Sequence, residues 1–158
     1  MSDINIDIGL KKTDRKKIAE GLSGVLADSY TLFLKTQNYH WNVTGPHFGP
    51  LHDLFEEQYR ELFDAIDEIA ERIRTLGFRA PGTLKEFGDL ASVKEQTGQP
   101  DAMEMVKNLA EANETVHKTL RSAFETADEA GDEGTADLMV ERMQAHAKNI
   151  WMLRSHLV

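Results

Sequence analysis

The fold of this chain is decided by residues 51–76, whose sequence is LHDLFEEQYRELFDAIDEIAERIRTL. Apolar residues recur in this segment at the spacing of one helical face, and Gly77 follows as a helix stop. The segment therefore predicts a long amphipathic helix that buries one side in a core. The residues predicted to face that core are Leu51, Phe55, Leu62, Ile66, Ile69 and Ile73.

A second face of the same predicted helix carries four side chains that are able to bind a metal: His52, Glu56, Asp67 and Glu71. At 3.6 residues per turn their spacing places all four within an arc of roughly 100°. At 1.5 Å per residue, however, His52 lies about 28 Å from Glu71, which is too far for a shared ion. One copy of this helix cannot close a site with all four residues.

A second copy related by a two-fold axis can close it. An antiparallel crossing near residues 61 and 62 would bring His52 and Glu56 of one chain against Asp67 and Glu71 of the other, and symmetry would create two equivalent sites. His40 precedes a turn-rich segment and could fold back to add a second imidazole. Imidazoles with carboxylates suit iron, although zinc would also bind. The alternative is that these acids form a solvated face with ordinary i, i+4 pairs.

The rest of the chain predicts a helical bundle. Gly and Pro residues between 43 and 50 indicate a short connection, whereas residues 78–99 form an unusually long one. Four long helices with one long crossover are typical of an all-α, ferritin-like four-helix bundle. The predicted helices run from Thr13 or Asp14 to about residue 41, over 51–76, over 84–87 as a short helix in the crossover, over 101–130, and from Glu133 or Thr135 to the C-terminus.

Length and charge narrow the function further. We expect residues 1–158 to form a single domain, with residues 1–12 as a flexible N-terminal tail. The formal net charge of −9 favours cations as partners, and the absence of cysteine excludes disulfides and thiolate metal sites. No secretory signal begins the sequence, and no stretch approaches the roughly 20 apolar residues that span a bilayer. We therefore expect a cytoplasmic protein that contacts no membrane, with nucleoid association as the alternative location.

A competing metal site inside the bundle has weak support. Ferritin-like di-iron centres of that kind use a Glu-x-x-His motif on each of two helices. Only Glu114-Thr-Val-His117 matches the motif here, and one copy cannot supply the second histidine. Surface polarity is the simpler explanation of this match.

At this point the sequence resembles a known family. The segments that carry the resemblance are HWNVTGPHFGPLHDLFE, residues 40–56, and DEIAER, residues 67–72. They are similar to those of the Dps family, the DNA-binding proteins from starved cells, which are also called mini-ferritins. The resemblance extends from the first helix to the closing Trp151-Met-Leu-Arg. It implies a homo-dodecameric shell whose ferroxidase centres are shared across two-fold interfaces.

Carried onto this chain, the resemblance assigns the iron ligands to His40, His52, Glu56, Asp67 and Glu71. Some members have Asp where this chain has Glu56, which puts in doubt how firmly the second metal is held. The resemblance implies an enzyme that oxidises Fe²⁺ with H₂O₂ or O₂, stores the ferric mineral and protects DNA. Trp41 resembles a family tryptophan that could intercept radicals beside the centre, although a simple core aromatic is the alternative.

The resemblance also bears on iron entry. Family members line three-fold pores with carboxylates near the junction of the last two helices. The matching positions here are Asp128, Asp132, Glu133 and Asp137. The alternative is a solvated loop leading into a helix start, where acids are favoured.

DNA binding is the last expectation. Five basic residues lie within positions 11–17, and they could contact phosphates. Against this, a twelve-subunit shell would carry about twelve times the charge of one chain, which repels DNA at low salt. We expect weak or absent DNA binding. Two functional alternatives remain. One is a nucleoid-binding protective protein, for which a longer Lys-rich tail would be the discriminating sequence feature. The other is another metal-dependent activity on the same scaffold.

Overall fold

A computed structural model describes residues 4–158, and every regular element within that range is a helix. The predicted all-α fold is therefore confirmed. None of these helices combines the length and apolar character that a bilayer crossing requires. The helices are α1, Lys12–Asn42; α2, Phe48–Thr75; α3, Leu84–Leu90; α4, Ala102–Ala130; and α5, Glu133–Arg154.

The bundle is built around α1, which packs against both α2 and α4, while α4 packs along α5. The predicted core stripe of α2 is buried at five of its six positions, and Ile66 is partly buried against the same core. The short α3 lies on α1, where Phe87 stacks on Tyr30 with ring centroids 4.8 Å apart. The apolar spacing in the sequence therefore predicted the inward faces correctly.

Two helix starts differ from the sequence prediction. Neither Thr13 nor Asp14 caps α1; the helix begins at Lys12, and its N-cap residue Lys11 makes no side-chain cap. The first turn is instead tied to the end of α2, because the buried Arg15 donates from Nη1 to the carbonyl of Leu76 at 2.6 Å. Helix α2 begins at Phe48, three residues earlier than expected. Pro50 is compatible with this start because it falls in the first turn, where a backbone donor has no intrahelical acceptor.

The predicted flexible tail is partly tied to the bundle. Residues 1–3 lie outside the described part of the chain. Ile4 donates its backbone N–H to the carbonyl of Gly77 at 3.2 Å. Gly77 ends α2 with φ of 96°, and a Cβ at this position would lie 2.8 Å from the Ile4 oxygen. Glycine is required here by both backbone conformation and space.

A buried carboxylate also ties the long crossover to the bundle. Asp28, on α1, is fully buried and accepts hydrogen bonds from the backbone N–H groups of Ser92 and Val93 at 2.6 and 2.9 Å. Its other oxygen accepts from the hydroxyl of Thr119, on α4, at 2.7 Å. A buried charge is stable only when it is hydrogen-bonded in this way. Asp28 thus joins α1, the crossover and α4.

Candidate metal centre

Two histidines from different helices meet at the α1–α2 turn. His40 lies in the last turn of α1 and His52 in the second turn of α2, and their rings stack with centroids 3.8 Å apart. Nδ1 of His40 lies 2.8 Å from the carbonyl oxygen of His52, and Nδ1 of His52 lies 2.8 Å from the carbonyl oxygen of His40. A carbonyl can only accept, so each Nδ1 carries a proton in the neutral ring. Each Nε2 is left with a lone pair for a metal.

Glu56 completes a three-residue group with these histidines. Its carboxylate lies one helical turn beyond His52, and ligand atoms of the three residues lie within 4.8 Å of one another. Across residues 4–158, no other three His, Asp or Glu side chains come together in this way. His40 is only 7% exposed, whereas His52 and Glu56 are partly exposed. The group can therefore bind an ion and still leave coordination positions open toward solvent or a second chain.

A guanidinium already contacts this group. Arg60 donates from Nε and Nη2 to a single oxygen of Glu56, at 2.7 and 2.6 Å. This hydrogen bond holds the pKa of the Glu56 carboxyl below its usual value, so the group is an anion near neutral pH. The Arg60 guanidinium also lies 5.5 Å from the ring centroid of Tyr59, whose ring meets that of His40 edge-on at 5.2 Å. Sequence reasoning missed Arg60 and Tyr59, although their place one turn after Glu56 was a signal.

The other two predicted ligands lie apart from this group. Asp67 and Glu71 are exposed on α2, and within residues 4–158 their carboxylates have no hydrogen-bond or ion-pair partner. Along a helix, Asp67 is about 16 Å from Glu56. A single chain thus brings together three of the five predicted ligands.

Apolar side chains lie exposed beside the candidate ligands. Phe63, on the same face between Glu56 and Asp67, is 62% exposed, and Trp41, next to His40, is 61% exposed. The core-aromatic alternative for Trp41 is therefore wrong within this chain. Phe63 was missed by sequence reasoning, but a phenylalanine on an otherwise polar helical face was the available signal. Two exposed aromatic side chains beside the candidate ligands are apolar surface that a second chain could bury.

Among residues 4–158, the competing motif on α4 does not form a metal group. Glu114 accepts hydrogen bonds from Arg154 at the end of α5, with Nη2 at 2.8 Å. His117 is partly buried, and it does not join a three-ligand cluster with any of the residues that the structure describes. Glu114 therefore joins α4 to α5.

A positively charged side chain, that of Arg142, is buried inside the bundle. The buried Arg142 of α5 pairs with Glu61 of α2. Its Nη2 lies 3.5 Å from Nε2 of His146, whose Nδ1 donates to Asn113 Oδ1 at 2.8 Å. Burial lowers the pKa of His146 to about 3, and the Arg142 charge acts in the same direction. A guanidinium in this position opposes metal binding inside the bundle.

The acidic α4–α5 corner divides into buried and exposed residues. Asp132 is 4% exposed, caps α5 by accepting from Thr135 N at 3.2 Å and pairs with Arg72 Nη2 at 2.6 Å. Its carboxylate is thus occupied within the chain, contrary to the expectation that it lines a pore. The other three predicted pore residues, Asp128, Glu133 and Asp137, are exposed.

Comparison with known proteins places this chain in a family. Residues 19–158 match the family model of the ferritin-like domain. The DNA protection during starvation protein of Brevibacillus brevis is 37% identical over 148 residues, which cover 94% of this chain and 99% of that protein. An uncharacterised low temperature-induced protein of Nostoc sp. is 44% identical over 154 residues, which cover 96% of this chain and 86% of that protein.

A solved structure agrees with the sequence relatives. The Dps protein of Vibrio cholerae O1 superposes with a TM-score of 0.93 at 35% identity, covering 100% of this chain and 99% of that one. That protein is described as a member of a broad superfamily of ferritin-like diiron-carboxylate proteins. The chain therefore belongs to the ferritin-like proteins and, within them, to the Dps family. The resemblance inferred from residues 40–56 and 67–72 is confirmed.

Proposed function

We propose that this protein is a ferroxidase and an iron-storage and detoxification protein. It oxidises Fe²⁺ at di-iron centres shared between two copies of the chain and stores the ferric mineral in a dodecameric shell, which protects DNA from oxidative damage. The observation that carries this proposal is the His40–His52–Glu56 group, in which the Nδ1 atom of each ring is bonded to a backbone carbonyl and Nε2 is left for a metal. The diiron-carboxylate description of the Vibrio cholerae protein supports iron as the metal.

The second copy supplies the missing ligands in this proposal. An antiparallel crossing of two α2 helices near residues 61 and 62 places Asp67 and Glu71 of one chain opposite His52 and Glu56 of the other. Phe63 adjoins the crossing point and is 62% exposed, which supports burial of this face against a second chain. The unpaired state of Asp67 and Glu71 within residues 4–158 is also consistent with a role as ligands across that interface.

Iron is the substrate of the proposed reaction. Two Fe²⁺ ions give one electron each to one H₂O₂, which takes up two protons and leaves as two water molecules. Pairing the electrons avoids the one-electron reduction that would release hydroxyl radical. The carboxylates stabilise the ferric product as its charge rises, while the imidazoles favour iron over calcium and magnesium. O₂ is the alternative oxidant, and zinc would occupy the same ligands without reacting.

Iron entry and radical interception are assigned to exposed residues. Asp128, Glu133 and Asp137 are exposed at the α4–α5 corner and could attract cations to a pore between subunits. We do not assign Asp132 to this pore, because its carboxylate is already paired with Arg72. Trp41 is exposed next to His40, where an oxidisable ring could intercept a radical that leaves the centre.

In the proposed function, DNA is protected by oxidation and storage of iron, which needs little contact with DNA. Within the basic segment 11–17, the Arg15 guanidinium is buried and bonded to Leu76 O. Lys16 lies 3.9 Å from Glu20, which reduces its availability further. With a net charge of −9, we expect weak or absent binding. A gel shift of duplex DNA at low ionic strength and neutral pH tests this expectation.

Anaerobic loading with Fe²⁺ followed by H₂O₂ tests the proposed function. Ferric absorbance gives the rate, and iron content across a size-exclusion column shows where the product resides. Iron that elutes with a shell of about twelve subunits supports oxidation and storage together. Iron that precipitates outside the protein at the uncatalysed rate contradicts the proposal. His52→Ala is the matched loss-of-site control.

A further inference from the structure

Arg60 forms an ion pair with one of the proposed iron ligands, Glu56. Its Nε and Nη2 atoms both contact the same oxygen of Glu56, at 2.7 and 2.6 Å, so the second carboxylate oxygen is free of this guanidinium. No corresponding cation contacts Asp67 or Glu71 within residues 4–158. The proposed ligands are therefore unequal before any metal binds, because only Glu56 has its charge neutralised by the protein itself.

A second carboxylate, that of Asp64, is an alternative ion-pair partner for Arg60. Asp64 lies four residues after Arg60, just as Glu56 lies four residues before it, so both acids are helical neighbours of the same guanidinium. Asp64 is exposed, and the structure gives it no partner within residues 4–158. The Arg60 side chain is 68% exposed within one chain, so burial inside the bundle does not hold it on Glu56. Moving from Glu56 to Asp64 exchanges one i, i+4 ion pair for another.

We propose that Arg60 is an internal counter-cation that occupies Glu56 in the metal-free protein and transfers to Asp64 when a metal ion binds Glu56. It therefore weakens the metal position that uses Glu56. This inference rests on the proposed function, because it requires Glu56 to be a metal ligand.

The charge of Arg60 fixes the expected size of the effect. A unit positive charge about 5 Å from a divalent ion in a water-like dielectric lowers ion affinity by about tenfold. Arg60→Gln should therefore tighten binding at the position that uses Glu56 by about that factor. Asp64→Asn removes the second partner of Arg60. Exposed i, i+4 pairs contribute about 0.3–0.5 kcal/mol, so this loss should weaken metal binding by about twofold, in addition to the effect of losing the Asp64 charge itself.

The experiment measures binding of Co²⁺ alone, without oxidation, to the assembled protein by anaerobic calorimetry and by Co²⁺ absorbance. The chain offers Arg79→Gln as a matched control, because Arg79 is another exposed arginine paired with a glutamate, Glu86, at 2.6 Å. Expected results are tighter Co²⁺ binding in Arg60→Gln, no change in Arg79→Gln, and a difference that shrinks as salt is raised. Asp64→Asn should weaken binding more in the wild-type background than in Arg60→Gln.

Failure of the inference and failure of the proposed function give different results. Co²⁺ binding that is lost in His52→Ala but is equal in wild type and Arg60→Gln would refute the competitor while keeping the site. Weaker binding in Arg60→Gln would also refute it, because Arg60 would then be orienting Glu56 for the metal. Absence of binding that depends on His52 in the wild-type protein would refute the proposed site and the inference with it.

Discussion

Mixed assemblies of two inactive variants give the most direct test of a shared centre. His52→Ala removes an imidazole, and Glu71→Ala removes a carboxylate about 28 Å away along the same helix. Each variant alone should lose every centre, because all chains carry the same defect. In the proposed arrangement, one chain supplies His40, His52 and Glu56, while the other supplies Asp67 and Glu71. Two defects on opposite sides of the interface can therefore complement each other.

Symmetry determines how much activity returns. When the two variants are unfolded together in equal amounts and reassembled at random, about half of the two-fold pairs contain one chain of each kind. In such a pair one centre receives both defects and the other receives neither. About a quarter of all centres should therefore be intact, which predicts about a quarter of the wild-type Co²⁺ sites and initial Fe²⁺ oxidation rate.

The control uses two defects on the same side of the interface. His40→Ala with His52→Ala should recover no centres, because each centre takes both imidazoles from one chain. Simple mixing of preassembled variants should also recover none. Circular dichroism and size-exclusion chromatography would first establish that each variant folds and assembles. Zero recovery in the reassembled His52→Ala and Glu71→Ala mixture would refute the shared centre, as would equal recovery in the His40→Ala and His52→Ala mixture.

Three further predictions concern the scaffold. Burial lowers the pKa of His146 in the folded chain to about 3 from 6.5, so protons bind preferentially to the unfolded chain. The stability that depends on neutral His146 is complete above about pH 6.5 and is lost as pH falls toward 3. Urea unfolding at several pH values should show up to about 1.4 kcal/mol per pH unit from this group, and His146→Gln should remove that slope. Asp28→Ala leaves the N–H groups of Ser92 and Val93 without their acceptor and removes one of two acceptors of the Thr119 hydroxyl, so we expect a loss of about 3 kcal/mol in urea unfolding and faster amide exchange near residue 92. Gly77→Ala should cost about 1–3 kcal/mol, because φ is 96° and Ile4 leaves no room for Cβ; an unchanged melting temperature would contradict this contact.

The helical architecture could be predicted because its signals are local. The apolar spacing of residues 51–76, the Gly77 stop and the acids before α4 and α5 each act within one or two turns of chain. Asp101 caps α4 and Asp132 caps α5, as their positions before helical segments indicate. The start of α1 could not be predicted in this way, because no side chain caps it and its first turn is held by a long-range contact between Arg15 and Leu76.

The candidate site was predictable only in part for a similar reason. Helical spacing identified His52 and Glu56, and the turn before residue 48 allowed His40 to return beside them. The reciprocal hydrogen bonds that fix both imidazole tautomers depend on backbone carbonyls, which carry no sequence signal. The occupation of Asp132 by Arg72 likewise depends on how α2 meets the α4–α5 corner, 60 residues away in the chain.

Charge placement explains why the proposed centre lies at the surface of the bundle. Inside, the Arg142 guanidinium neutralises Glu61 and lies beside His146, so a buried cation is already present and a metal ion would be repelled. On the α1–α2 surface, Arg60 also neutralises a carboxylate, but its side chain is 68% exposed, whereas that of Arg142 is 4% exposed. Arg60 has a second carboxylate, Asp64, at i, i+4 spacing and can exchange partners, while the buried Arg142 cannot leave Glu61 without abandoning a desolvated charge. In the arrangement we propose, the same type of ion pair excludes metal from the interior and only lowers its affinity at the surface.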